Sequence, residues 1–100
     1  MAAYPGAPTP YGNYTHLGIT SATVVKTGPG VVVTVVEIVS GSSSGAVYDS
    51  TSTTGNSAAN QVAVIGSPGP ANGLLPVNMP CINGIVVVPG TGQTVAISYI

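Results

Sequence analysis

A chain of 100 residues with 44% hydrophobic residues is long enough for one domain with a core. Charged residues make up only 3% of the chain, against about 25% in an average domain, and the formal net charge is −1. We expect no nucleic-acid partner, because phosphate binding needs clustered basic residues and Lys26 stands alone. We also expect no membrane insertion, because no apolar run approaches the roughly 20 residues of a spanning helix.

Residues 1–18 predict an extended arm. They contain Pro5, Pro8 and Pro10, and proline at this density disfavours both helix and central strand. The arm also holds three of the five tyrosines, which suit interfaces because the ring is apolar while the hydroxyl stays paired. The alternative is a disordered leader; the basic-then-apolar pattern of a secretory signal is missing. The residues that we predict to contact another chain are Tyr4, Tyr11, Tyr14 and His16.

Short strands separated by Gly and Pro turns follow the arm. The first spans 20–26 and stops at a turn over 27–30. The strongest spans 31–39, where six of nine residues are valine and both faces are mainly apolar. We predict that this strand lies inside a sheet, with one face in the core and the other covered by a loop, the arm or a neighbouring subunit.

The later strands are shorter. The clearest spans 93–100, where Val95, Ile97 and Tyr99 alternate with smaller residues, so we predict that one face is buried. The other predicted elements are a strand at 45–49, a polar loop at 50–59, a strand at 60–65, an edge segment at 73–78, a turn at Asn83-Gly84 and a buried strand at 85–88.

This spacing of strands and turns, without helical periodicity, predicts an all-β fold. We expect a small β-sandwich or jelly-roll-like barrel with an extended Pro/Tyr-rich N-terminal arm. The arm is assigned to residues 1–18 and the single β domain to residues 19–100.

The residues that carry chemistry are too few for the usual sites. With one His and one Cys the chain cannot build a catalytic triad or a zinc site, unless His16 is repeated around a symmetry axis. Glu37 and Asp49 would have to meet in the tertiary structure to act as a carboxylate pair. The glycines form no phosphate-binding motif. We therefore expect no enzyme activity, no catalytic residues and no cofactor or metal, and we expect Cys81 to be a small buried side chain.

The shortage of charge indicates a surface that partners cover. Proteins stay dispersed partly through net charge and interspersed surface charges, and this chain has few of either. A Ser/Thr-rich surface that keeps a monomer soluble is the alternative. We expect a building block of a larger assembly.

Three stretches carry a resemblance to small β-sandwich virion proteins of tailed bacteriophages. That group shares a VKTGAGVL-like turn, a VYDNT-like strand end and a TVSY-like terminal strand. The corresponding stretches here are VKTGPGV at 25–31, VYDST at 47–51 and TVAISY at 94–99.

The resemblance implies a capsid decoration (cement) protein on the outer capsid surface. Such a protein would bind the major capsid protein, form a homo-oligomer such as a trimer, and stabilise the shell through apolar and backbone contacts. A tail or fibre component is equally compatible with the resemblance. A receptor- or glycan-binding module, with the loop at 50–59 as its tip, is the third interpretation.

Overall fold

The computed structural model describes residues 12–69 and 73–100. Eight strands form two antiparallel sheets that pack face to face, which confirms the predicted all-β sandwich. One 3₁₀ turn, Ala58–Asn60, precedes the fifth strand. The strands are β1 (Tyr14–Ile19), β2 (Thr23–Thr27), β3 (Gly30–Val39), β4 (Gly45–Tyr48), β5 (Gln61–Ile65), β6 (Leu74–Cys81), β7 (Gly84–Val88) and β8 (Thr94–Tyr99).

The strand order is that of a jelly roll. Sheet 1 has the order β1-β8-β3-β6 and sheet 2 the order β2-β7-β4-β5. The pairs β1–β8, β2–β7, β3–β6 and β4–β5 are those of one long hairpin with β4 and β5 at its tip. Wrapping this hairpin places alternate pairs in opposite sheets, which defines the eight-stranded jelly roll.

The core between the sheets is built mainly from Val and Ile, whose branched side chains suit a pleated surface. In β8, Val95, Ile97 and Tyr99 are buried as the alternation predicts. From sheet 2, Val47 and Val87 lie opposite each other in β4 and β7 and are fully buried. Both sheets thus contribute to one continuous core.

Strand β3 lies between β8 and β6, as predicted for the valine-rich segment. Strict alternation would place Val32 and Val35 on opposite faces, yet both are fully buried in the core. The pairing register shifts between Val32 and Thr34, so a bulge brings both side chains inward. One face of β3 is therefore in the core, whereas the outer face carries half-buried and exposed residues, and its cover by another subunit stays a prediction.

The β domain begins earlier than residue 19. Residues Tyr14–Ile19 form β1, which pairs with β8 at the edge of sheet 1. The assignment of all of 1–18 to an arm is corrected accordingly: the last proline of the segment is Pro10, and nothing after it prevents an edge strand. Residues 1–11 lie outside the described residues.

Candidate interaction surface

The carboxylate of Asp49 closes one end of the sandwich. It accepts hydrogen bonds from the backbone N–H groups of Ile82 (3.0 Å), Asn83 (2.8 Å) and Gly84 (3.3 Å), in the turn between β6 and β7. These bonds, that from Ile82 above all, hold the pKa of Asp49 below its ordinary value. The side chain therefore ties the end of β4 to this turn.

Gln93 fills the opposite end and is the one fully buried polar side chain in the described part of the chain. The hydrogen bond that its amide donates is the main reason why the pKa of Glu37 is lowered, and the Gly69 N–H adds to it. Gln93 thereby ties β3 to the loops before β6 and β8. Its partners are Glu37 Oε2 (2.6 Å), the carbonyl oxygens of Ile65 (3.4 Å) and Gly66 (3.1 Å), and the N–H of Gly90 (2.9 Å).

These two ends lie apart, and the acidic groups do not form a pair. Strand β7 starts beside Asp49 and ends just before the loop of Gln93, whose amide binds Glu37 of β3, and its five residues span about 17 Å. Across residues 12–69 and 73–100, no group of three or more His, Cys, Asp or Glu side chains is placed to hold a metal ion. Cys81 is buried, and burial raises the pKa of its thiol to about 11.

The polar loop after β4 is held by its own hydrogen bonds. The side chain of Asn60 donates to Asn56 Oδ1 (2.9 Å) and accepts from the N–H of Ser57 (2.9 Å). The amide of Asn56 donates to the carbonyl oxygen of Ser52 (2.8 Å). Both amide side chains of the loop thus already have partners within it.

Two of the four residues predicted to contact another chain lie in β1. Tyr14 stacks on Tyr99, with ring centroids 5.5 Å apart and planes at 21°, and packs against the core. The segment therefore holds a tyrosine half-buried within its own domain. His16 is half-buried in the same strand. Tyr4 and Tyr11 lie outside the described residues, and a contact of any of the four with another chain stays a prediction.

Each edge strand carries a feature that hinders the addition of another strand. Bulges and prolines on edge strands discourage edge-to-edge association. Contacts with other chains are therefore expected on the faces of the sandwich. The features are the register shifts in β1 (between His16 and Ile19), in β2 (between Val24 and Lys26) and in the β4–β5 pair (at Val47 and Tyr48), and Pro76, Pro80 and the positive φ of Asn78 in β6.

The outer face of sheet 1, defined here as the side of β1, β8, β3 and β6 that points away from the core, has an apolar row across all four strands. Val36 pairs with Ala96 on one side and with Leu74 on the other. Because His16 pairs with Ile97 and Ile19 with Val95, Leu17 and Gly18 lie together opposite Ala96 at the bulge of β1. The row is Leu17, Ala96, Val36 and Leu74.

Two further rows continue this face. In one, Val31 exchanges backbone hydrogen bonds with Ile100 (2.9 and 3.2 Å) and pairs with Pro80 in β6. The row between the two apolar rows carries hydroxyl groups and consists of Thr15, Ser98, Thr34 and Pro76. The face is thus apolar with a band of neutral hydrogen-bonding groups.

This face carries most of the exposed apolar side chains. Of the eight large hydrophobic residues that are exposed in the described chain, five lie on it: Leu17 (61%), Ile38 (60%), Val39 (50%), Leu74 (49%) and Ile100 (47%). Ile38 and Val39 both lie on it because the pairing register with β8 shifts between Glu37 and Val39. None of the three charged residues points from it: Glu37 pairs with the core residue Val95, and Lys26 and Asp49 belong to or follow strands of sheet 2. Lys26 reaches only its rim, where Nζ donates to the carbonyl oxygen of Ile100 (3.1 Å).

The outer face of sheet 2 is different, because it exposes fewer large apolar side chains. Val86 lies on that face between Val24 and Tyr48, outside the core cluster, and is nevertheless fully buried. Val64, in the edge strand β5, is the large exposed hydrophobic residue of this sheet. A shallow groove runs beside it, and among its lining residues Gln61 supplies the single polar side chain.

Sequence reasoning predicted a covered outer face only for the strand 31–39, and it did not find the surface that extends over all four strands of sheet 1. Leu17 was assigned to the arm, and Val36 and Leu74 were placed in strands whose pairing the sequence does not reveal. The available signal was the low charge of the whole chain, which indicates a covered surface without locating it. Comparison of the chain with family models, with curated proteins and with solved structures finds no match.

Proposed function

We propose that this chain is a structural subunit of a virus particle, a decoration protein that binds the outside of a bacteriophage capsid and stabilises it. The observation that supports this most is the uncharged, apolar outer face of sheet 1 in a chain with 3% charged residues. Exposed apolar faces of this kind mark interaction sites. The resemblance of residues 25–31, 47–51 and 94–99 to virion proteins of tailed bacteriophages suggests the kind of particle.

The fold by itself is compatible with more than one function, because jelly rolls occur both in viral capsids and in lectins. A glycan-binding tip at the loop 50–59 would be expected to expose an Asp and aromatic side chains. The loop contains neither, and the Asn56 amide already donates to the carbonyl oxygen of Ser52. These features favour an assembly subunit over a glycan-binding module.

The mechanism would be mechanical. Each 100 Å² of apolar surface buried between subunits contributes up to about 2.5 kcal/mol before the costs of association. Repeated over a shell, such contacts would brace the major capsid protein against internal pressure. Because few ion pairs are available, binding should hardly depend on ionic strength.

Quantitative mass spectrometry of gradient-purified particles tests the proposal. We expect the chain to be present at a copy number comparable to that of the major capsid protein, and to stay bound when the particles are washed at increasing salt. A few copies per particle would identify a tail or fibre component instead. Absence from purified particles would refute the proposal, and a steep loss at moderate salt would contradict the apolar mode of binding.

The proposed contact of the N-terminal segment has its own test. Deleting residues 1–11 spares β1, whose first residue is Tyr14, so the domain should still fold. We expect the truncated chain to occupy fewer sites on the particle, because Tyr4 and Tyr11 would no longer contact a neighbour. Occupancy equal to that of the full chain would show that the segment makes no such contact.

A further inference from the structure

We propose that two copies of this chain associate through the outer face of sheet 1, sheet against sheet across a twofold axis. This inference rests on the proposed function and deepens it, because it assigns the outer face of sheet 1 to contacts between neighbouring copies of the subunit rather than to contacts with the capsid protein. A twofold interface uses the same patch on both subunits, so the patch must be complementary to itself.

The chemistry of the face meets this requirement. No charged side chain points from it, so two copies can meet without like-charge repulsion or an unpaired buried charge. The hydroxyl groups of Thr15 and Thr34 can donate and accept, and that of Ser98, which accepts from the Asn13 amide (3.1 Å), can still donate, so the polar row can pair with itself in the second copy. A strongly charged partner would leave its charges without counterparts.

The shape of the face also suits a second sheet. Ala96 is the small member of the first row, lies between Leu17 and Val36 and is only 8% exposed, so the larger side chains beside it present the contact surface to an opposite sheet. Facing sheets pack about 10 Å apart with interdigitated side chains, as the two sheets of this domain already do. The blocked edges leave face-to-face contact as the open mode of self-association.

The size of the face sets the strength of the association. The rows described above hold about half of the 20–30 residues that each side of a standard interface contributes. We therefore expect a weak dimer whose population rises with protein concentration. Anchoring many copies on one particle would raise their effective concentration and favour the same contact there.

Sedimentation of the full chain between about 1 μM and 1 mM tests the inference. Leu74→Lys places a charge at the end of the apolar row, and Leu17→Lys does so at the other end. The matched control is Val64→Lys, since Val64 (56% exposed) and Leu74 (49%) both lie on edge strands, in different sheets. Circular dichroism confirms that each variant is folded.

We expect the wild type and Val64→Lys to dimerise alike, and each lysine in sheet 1 to raise the dissociation constant at least ~10-fold. A wild type that stays monomeric up to 1 mM overturns the inference, as does a Leu74→Lys variant that dimerises normally, or a Val64→Lys variant that is equally impaired. The two proposals fail separately. A chain found on particles but never dimeric refutes only the self-association, whereas a dimer absent from particles refutes only the virion function.

Discussion

Replacing Gln93 with methionine should unfold the domain far more easily. The substitution keeps the length of the side chain but removes the acceptor for the Gly90 N–H (2.9 Å) and the donor for the Gly66 carbonyl (3.1 Å). A buried N–H without an acceptor costs about 1–3 kcal/mol, and each lost hydrogen bond about 1 kcal/mol. We expect the free energy of unfolding to fall by about 2–4 kcal/mol.

This loss is a large part of the 5–15 kcal/mol that typically stabilise a domain. For a chain of this size it corresponds to a melting temperature lower by about 10–30 °C. Urea unfolding followed by circular dichroism measures the free energy, and calorimetry measures the melting temperature.

The chain offers a matched control in its other glutamine. Gln61 is half-buried, and its amide donates one long local bond to the carbonyl oxygen of Ala63 (3.4 Å), so Gln61→Met should change the stability by no more than about 0.5 kcal/mol. If Gln93→Met is as stable as the wild type, or if both variants lose the same amount, Gln93 does not hold the loops together.

Three further predictions concern other parts of the domain. Asp49→Ala removes the acceptor of the β6–β7 turn and should cost about 1–2 kcal/mol at pH 7, a modest loss because the site is open to solvent. Because the pKa of Asp49 is lowered on folding, its contribution is complete above the ordinary Asp pKa of about 3.9 and is lost as the pH falls through the folded value. The difference in stability between wild type and variant should therefore shrink as the pH falls below the ordinary Asp pKa, and a difference that stays constant would contradict the carboxylate's role. The Cys81 thiol, with a pKa of about 11, should resist a thiol reagent at pH 8 until denaturant is added; fast labelling of the native protein would show that it is accessible. Val32→Lys should abolish the cooperative folding transition because Val32 is fully buried, whereas Val33→Lys at the half-buried neighbour should leave the domain folded; a folded Val32→Lys variant would disprove that orientation of β3.

Local sequence was sufficient to place most strands. The segment 31–39 corresponds to β3 (Gly30–Val39), and 93–100 contains β8 (Thr94–Tyr99). A run of β-branched residues between Gly and Pro turns can be assigned as a strand without knowing which strand pairs with it. Both signals are local, because they depend only on the residues in and beside the strand.

Local sequence gave wrong strand boundaries where pairing with a neighbouring strand outweighs the local amino-acid composition. Strand β1 was read as part of a proline-rich arm, and β6 was expected to stop at residue 78, although it continues through Pro80 to Cys81. Both are edge strands, and an edge strand tolerates proline because one side of its backbone needs no partner strand. Whether a segment lies at an edge depends on residues far away in the chain.

For the candidate surface too, the sequence predicts one part and only the tertiary structure determines the other. The amino-acid composition alone determined that this protein has almost no charge to expose, and thus that partners were to be expected. Only the tertiary structure decided which residues form the exposed face, because Leu17, Ala96, Val36 and Leu74 become neighbours solely through the pairing of strands distant in sequence. A bulge of one residue, as in β3, reverses which side chains point outward, and the pattern of valines cannot show where such a shift occurs.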